Sequence, residues 1–87
     1  MQGEQTNDEA VALGALSWVL SDDARAERFL ALTGLTPADL RARLDEREML
    51  AAVLRFIEAH EPDLLAAADM LGLAPTDIPE ARRRLES

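Results

Sequence analysis

The sequence predicts an all-α fold, a compact bundle of five or six short helices. Three observations carry that expectation. Ala, Leu, Arg and Glu dominate the chain, and all four are strong helix formers. Aromatic residues make up only 3% and β-branched residues are few, so strands have little to build with. Breakers (Gly, Pro and short acidic pairs) then divide the helical pattern into segments. With 87 residues the chain is expected to form one modest core, because a chain of this size buries only about 60% of its unfolded surface.

Residues 1–7 carry no periodicity and are expected to be a flexible tail, leaving 8–87 as a single helical domain. Asn7 or Asp8 can cap the first helix, which the pattern carries to about Leu20. On a helical wheel Leu13, Leu16 and Leu20 share one face, while Val11, Ala15 and Trp18 share a second. With Ala12 and Val19 added, apolar residues cover more than half of the circumference. Such a helix is either central or shares its second face with a partner. Ser21 or Asp22 can cap the next helix, which ends at Gly34 and turns Ala26, Phe29, Leu30 and Thr33 inward. The third helix has the clearest start: Thr36 as cap, Pro37 at the first helical position, Asp39 at the third. Leu35 can staple onto Leu40, and the helix ends near Asp45. The fourth, from about Arg47 to His60, places Met49, Leu50, Val53, Leu54, Phe56 and Ile57 on one face. Pro62 opens the fifth, which ends at Gly72. The last starts at Thr76 or Asp77 and ends near Leu85, with Pro79 tolerable only in its first turn.

The segments repeat. Gly34-Leu35-Thr36-Pro37-Ala38-Asp39-Leu40 reads like Gly72-Leu73-Ala74-Pro75-Thr76-Asp77-Ile78, 38 positions on. The same offset pairs Leu16 with Leu54, Trp18 with Phe56 and Val19 with Ile57. The bundle is therefore expected to be a pseudo-two-fold repeat of three-helix units centred on helices one and four. Its core is expected to hold Leu13, Leu16, Trp18, Leu20, Phe29, Leu30, Leu35, Leu40, Val53, Leu54, Phe56, Ile57, Leu64, Leu71 and Leu73. On that basis Phe56→Ala should cost about 3–5 kcal/mol.

The first junction and its surroundings carry a resemblance. The run Arg28-Phe29-Leu30-Ala31-Leu32-Thr33-Gly34-Leu35-Thr36-Pro37-Ala38-Asp39-Leu40-Arg41 is similar to the hallmark of a small bacterial family, domain of unknown function 3572. So are Leu16-x-Trp18 upstream and Val53-Leu54-x-Phe56 downstream. The similarity covers roughly residues 9–85. It implies a compact helical cytoplasmic protein without an assigned activity, so no functional residue comes with it. His60-Glu61 departs from the Asp-Glu that the family pattern suggests.

Composition excludes several function classes. Cys is absent, so there is no disulfide framework, thiolate nucleophile or Cys-based zinc site. The lone histidine leaves no His-rich metal site. No apolar run is long enough to span a membrane, and the acidic start MQGEQTNDE is wrong for a secretion signal. Gly34 and Gly72 stand alone, so no phosphate-binding loop is present. His60-Glu61-Pro62-Asp63 could orient a general base, but helix-end roles explain it better; Asp22-Asp23 reads as capping. No enzyme activity, cofactor or small-molecule ligand is expected.

Two function classes stay open. The first is a protein-interaction module, self-associating or binding another protein, through the apolar faces of helix one, with Val11 and Trp18 as the candidate contacts. The second is a helix-turn-helix nucleic-acid binder through residues 63–85. Ala68, Gly72 and Ile78 fit that spacing, with Arg82, Arg83 and Arg84 as the candidate phosphate and base contacts. The net charge of −8 argues against the second, since DNA binding leans on phosphate neutralisation. The charge is uneven: residues 1–23 hold five acids and no base, whereas the final helix carries three of nine arginines.

Overall fold

A computed structural model describes the chain from residue 2, with side chains from residue 8 onward. It contains six helices and, among the described residues, no strand. They are α1 (Gln2–Leu20), α2 (Asp23–Thr33), α3 (Pro37–Ala42), α4 (Arg47–Glu58), α5 (Glu61–Leu71) and α6 (Asp77–Glu86). The tail expected over residues 1–7, with its Asn7 cap, falls outside the described side chains. Asp8 does not cap α1. It lies within the helix, and its carboxylate receives Arg84 instead.

The helix ends follow the local chemistry. Asp22 caps α2 by accepting the Arg25 N–H at 2.9 Å. Thr36 and Asp39 form a reciprocal capping box: Thr36 Oγ1 accepts the Asp39 N–H at 3.0 Å, and Asp39 Oδ2 accepts the Thr36 N–H at 3.1 Å. Asp77 Oδ2 accepts the Ala74 N–H at 2.9 Å, so the second unit keeps the half of the box that its alanine allows. Gly34 (φ 74°) and Gly72 (φ 70°) close α2 and α5 in the left-handed conformation. Two ends differ from expectation. Helix α3 stops at Ala42 rather than near Asp45, because Arg43 leaves helical geometry at φ −115°. Helix α4 stops at Glu58 rather than His60. Carried on, it would drive the Pro62 ring into the Glu58 carbonyl, and His60 turns extended instead.

Helix α4 lies at the centre, packed against α6, α1 and α5. Helix α6 belongs to that centre too, through Ile78, Ala81 and Leu85, which are buried against α4 and α1. Helix α1 contributes Ala12, Ala15, Leu16 and Val19, and its two buried alanines let its neighbours approach closely. Phe29 is fully buried and meets the Phe56 ring edge-on, with centroids 5.2 Å apart at 75°. Trp18, Leu30, Leu35, Phe56, Leu64, Leu71 and Leu73 are half-buried at the rim of this core. Leu13 and Leu20 are not core: they remain 43% and 42% exposed.

The repeat explains why. Burial recurs at the 38-residue offset: Ala12 with Leu50, Ala15 with Val53, Val19 with Ile57, Leu40 with Ile78. The third helices break the symmetry. Helix α6 packs along α4, whereas α3 makes only sparse contacts with the rest of the bundle. Where α6 offers Ala81 and Leu85, the first unit has Arg43 and Arg47. Those cations cannot enter an apolar contact unpaired, so the outer flank of α1 stays bare.

Candidate interaction surface

The apolar circumference of α1 divides into a sunken strip and two flanks. Ala12, Ala15 and Val19 form the strip. Val11 and Trp18 lie on one flank, and Leu13 and Leu20 on the other. The Val11–Trp18 flank is largely covered. Val11 is half-buried and lines a cavity of about 470 Å³ with Leu71, Leu73 and Arg84. Trp18 is half-buried beneath Arg25, whose guanidinium carbon sits 3.6 Å from the ring centroid. The Arg25 Nη2 also donates to the Trp18 carbonyl at 2.5 Å and to Ser21 Oγ at 3.0 Å. This clamp holds the α1–α2 corner.

The Leu13–Leu20 flank is open. Leu13, Leu16 and Leu20 line a shallow depression of about 530 Å³ together with Ser17, Ser21 and Leu44. Leu44 comes from the α3–α4 turn and is half-buried. Glu9 and Asp45 sit beside it at one end, lining an adjoining hollow with Leu13 and Leu44. On the same turn Arg43 Nε donates to Glu46 at 2.8 Å, and Arg47 Nη2 donates to the Arg84 carbonyl at 2.7 Å. The depression is therefore lined by leucines and two serines, with Glu9 and Asp45 at one end.

The arginines of α6 are also engaged. Arg82 Nε donates to Glu58 at 2.7 Å and its Nη1 to Glu86 at 2.8 Å. The Glu58 hydrogen bond raises the Arg82 pKa further above its ordinary value. Burial pushes Glu86 up, but hydrogen bonds from Arg55 and Arg82 outweigh it and hold the carboxyl below its usual range. Arg84 holds the buried Asp8 carboxylate through both oxygens at 3.0 Å. Arg83 is exposed. His60 and Asp63 do meet, with Nδ1 3.3 Å from Oδ2, and the same Asp63 oxygen accepts Arg28 at 2.7 Å. Among the described residues no group of three His, Asp or Glu is placed to hold a metal ion, and no helix is long and apolar enough to cross a membrane.

A family model described as a protein of unknown function (DUF3572) matches residues 5–87. The chain belongs to the DUF3572 family. No curated protein and no solved structure matches it. The DUF3572 match spans both repeat units and both flanks of α1 but assigns no residue a role. Roles come from the geometry, and it highlights residues that the sequence did not. Leu44 sits in a turn without periodicity. Arg25 reaches Trp18 across a helix break, and Asp8 meets Arg84 from 76 positions away.

Proposed function

We propose that this DUF3572 chain is a protein-interaction module that works by burying the Leu13–Leu20 flank of α1 against a partner. One observation carries the reading. Two leucines two turns apart stand more than 40% exposed beside Leu16 and Leu44, on a helix whose repeat-equivalent, α4, is covered by α6. Fully burying a leucine is worth about 1.5–3 kcal/mol, so completing the burial of two half-exposed ones gains roughly that amount in total. The contact belongs to a cytoplasmic, non-enzymatic bacterial protein. The helix-turn-helix reading has less to work with, because Arg82 and Arg84 already neutralise Glu58, Glu86 and Asp8.

The test is differential capture. Native chain and a Leu20→Asp variant are immobilised and exposed to native-cell lysate at low salt, with bound proteins read by mass spectrometry. The native chain should retain a protein, or more copies of itself, that the variant loses while its thermal midpoint holds. Identical captured sets from the two would end the reading.

A further inference from the structure

We propose that the Leu13–Leu20 flank receives a single amphipathic helix of a partner, laid across α1 as α6 lies across α4. Its inner face is apolar and it carries a basic residue at its C-terminal end. The proposal rests on the interaction-module reading and names the segment that the partner supplies. The repeat provides the template. On α4 the seat of α6 is one stripe of the helix, Arg47, Ala51, Leu54, Arg55 and Glu58. Arg47 Nη2 donates to the Arg84 carbonyl at 2.7 Å, Arg55 pairs with Glu86, and Glu58 accepts Arg82 at 2.7 Å. Ala51 and Leu54 are fully buried between them. At the 38-residue offset stand Glu9, Leu13, Leu16, Ser17 and Leu20. All but Glu9 line the open depression, and Glu9 lines the hollow that adjoins it. Leu44 bounds the depression from outside α1, and its counterpart is Arg82, the α6 residue that meets Glu58.

The depression is thus the first unit's counterpart of a helix seat, and α3 stops short of covering it. Helix α6 runs on to Glu86, which corresponds to Glu48, whereas α3 ends at Ala42 and the chain turns into α4 at Arg47. The stretch left out is the one in which α6 buries Ala81 and Leu85. Ala51 is fully covered in the α4 seat, but its counterpart Leu13 is 43% exposed. The partner helix takes its chemistry from the residues that differ between the seats. Ser17 and Leu20 stand where α4 has Arg55 and Glu58. The charges of Glu86 and Arg82 would find no partner there, so the fitting helix has small or apolar side chains in their places. Glu9 stands where Arg47 holds the C-terminal carbonyl end of α6, and Asp45 lies beside it. Two carboxylates repel the negative end of a helix, so a lysine or arginine at that end must meet them.

The probe is a synthetic peptide with the sequence of residues 76–87 carrying Arg82→Leu, Glu86→Ala and Ser87→Lys, amidated and stapled on its outer face. Stapling offsets the cost of ordering so short a helix. The peptide is titrated to about 1 mM into isotope-labelled native chain, Leu20→Asp and Glu9→Lys, and amide shifts are followed. Leu20 and Glu9 are exposed, so both variants should fold, and circular dichroism melts check that. The native chain should bind with a Kd of about 0.1–1 mM, with shifts centred on Leu13, Ser17 and Leu20. Leu20→Asp should weaken binding at least about tenfold and Glu9→Lys about threefold. A peptide that also carries Leu85→Asp should not bind. No binding to the native chain at about 1 mM, equal binding to Leu20→Asp, or equal binding by the Leu85→Asp peptide overturns the proposal. So do shifts centred on Ala51 and Glu58, which would mean that the peptide displaces α6 from its own seat. If lysate capture depends on Leu20 while the peptide does not bind, the interaction-module reading stands and the helical partner falls.

Discussion

Truncating Phe29 tests the core most sharply. The ring is fully buried and its only aromatic neighbour is Phe56, edge-on at 5.2 Å. Phe29→Ala forfeits the transfer energy of the ring and leaves a cavity, together about 3–5 kcal/mol. At roughly 0.05–0.15 kcal/mol per residue, the whole 87-residue fold has only about 4–13 kcal/mol to lose. The variant should therefore melt at least 12 °C or so lower, at about 4–8 °C per kcal/mol, or fail to fold at physiological temperature. Phe56→Ala should cost less, about 2–3 kcal/mol, because that ring is only half-buried. The cost of about 3–5 kcal/mol expected from the sequence assumed full burial. A cycle of Phe29→Leu and Phe56→Leu should return a coupling of about 0.5–1.5 kcal/mol for the edge-on pair. Urea titration followed by Trp18 fluorescence and far-ultraviolet circular dichroism measures all three. A Phe29→Ala cost below about 1 kcal/mol, or a larger cost at Phe56 than at Phe29, would refute this packing.

Three further outcomes follow from the helix junctions and the α6 arginines. Gly34→Ala and Gly72→Ala should each lose about 1 kcal/mol in urea titration; an added Cβ meets nothing within 4 Å, so the cost is the positive φ alone. The backbone N–H of Thr36, with its hydroxyl second, holds the Asp39 carboxyl below its ordinary value. That support is full above the unfolded aspartate value of about 3.9 and fades as pH falls through the depressed folded value. Asp39→Asn should flatten this part of the acid limb in thermal melts across pH. Finally, replacing Arg82, Arg83 and Arg84 together should lower the thermal midpoint, mostly through the buried Asp8 carboxylate left without Arg84. Arg83→Ala alone should leave the midpoint within about 2 °C.

Local order was legible in the sequence because local chemistry sets it. Thr36-Pro37-x-Asp39, the Asp22 cap and the two glycines each act within a few residues, and each lies where its pattern points. The 38-residue repeat was legible as junctions and burial, but not as packing. Its failure at α3 depends on Arg43 and Arg47 standing where α6 has Ala81 and Leu85, a contrast that matters only once α6 is seen against α4. Helix α1 shows the limit most clearly. Apolar residues on more than half its circumference imply a second apolar face, but periodicity does not say which face the bundle takes. The small residues Ala12 and Ala15 decide it, and that leaves Leu13 and Leu20 outside. The contacts at Trp18–Arg25 and Asp8–Arg84 join separate helices, so no local pattern announces them.

Amide chemical-shift mapping, on dilution and with the protein that the native chain captures, tests most directly whether the outer flank of α1 is where this chain meets protein. In whichever of the two the spectrum changes, the amides of Leu13, Leu16, Leu20 and Leu44 should move, while those of Arg82–Arg84 stay fixed. A spectrum that changes in neither experiment, or one whose changes centre on Arg82–Arg84, would contradict the account.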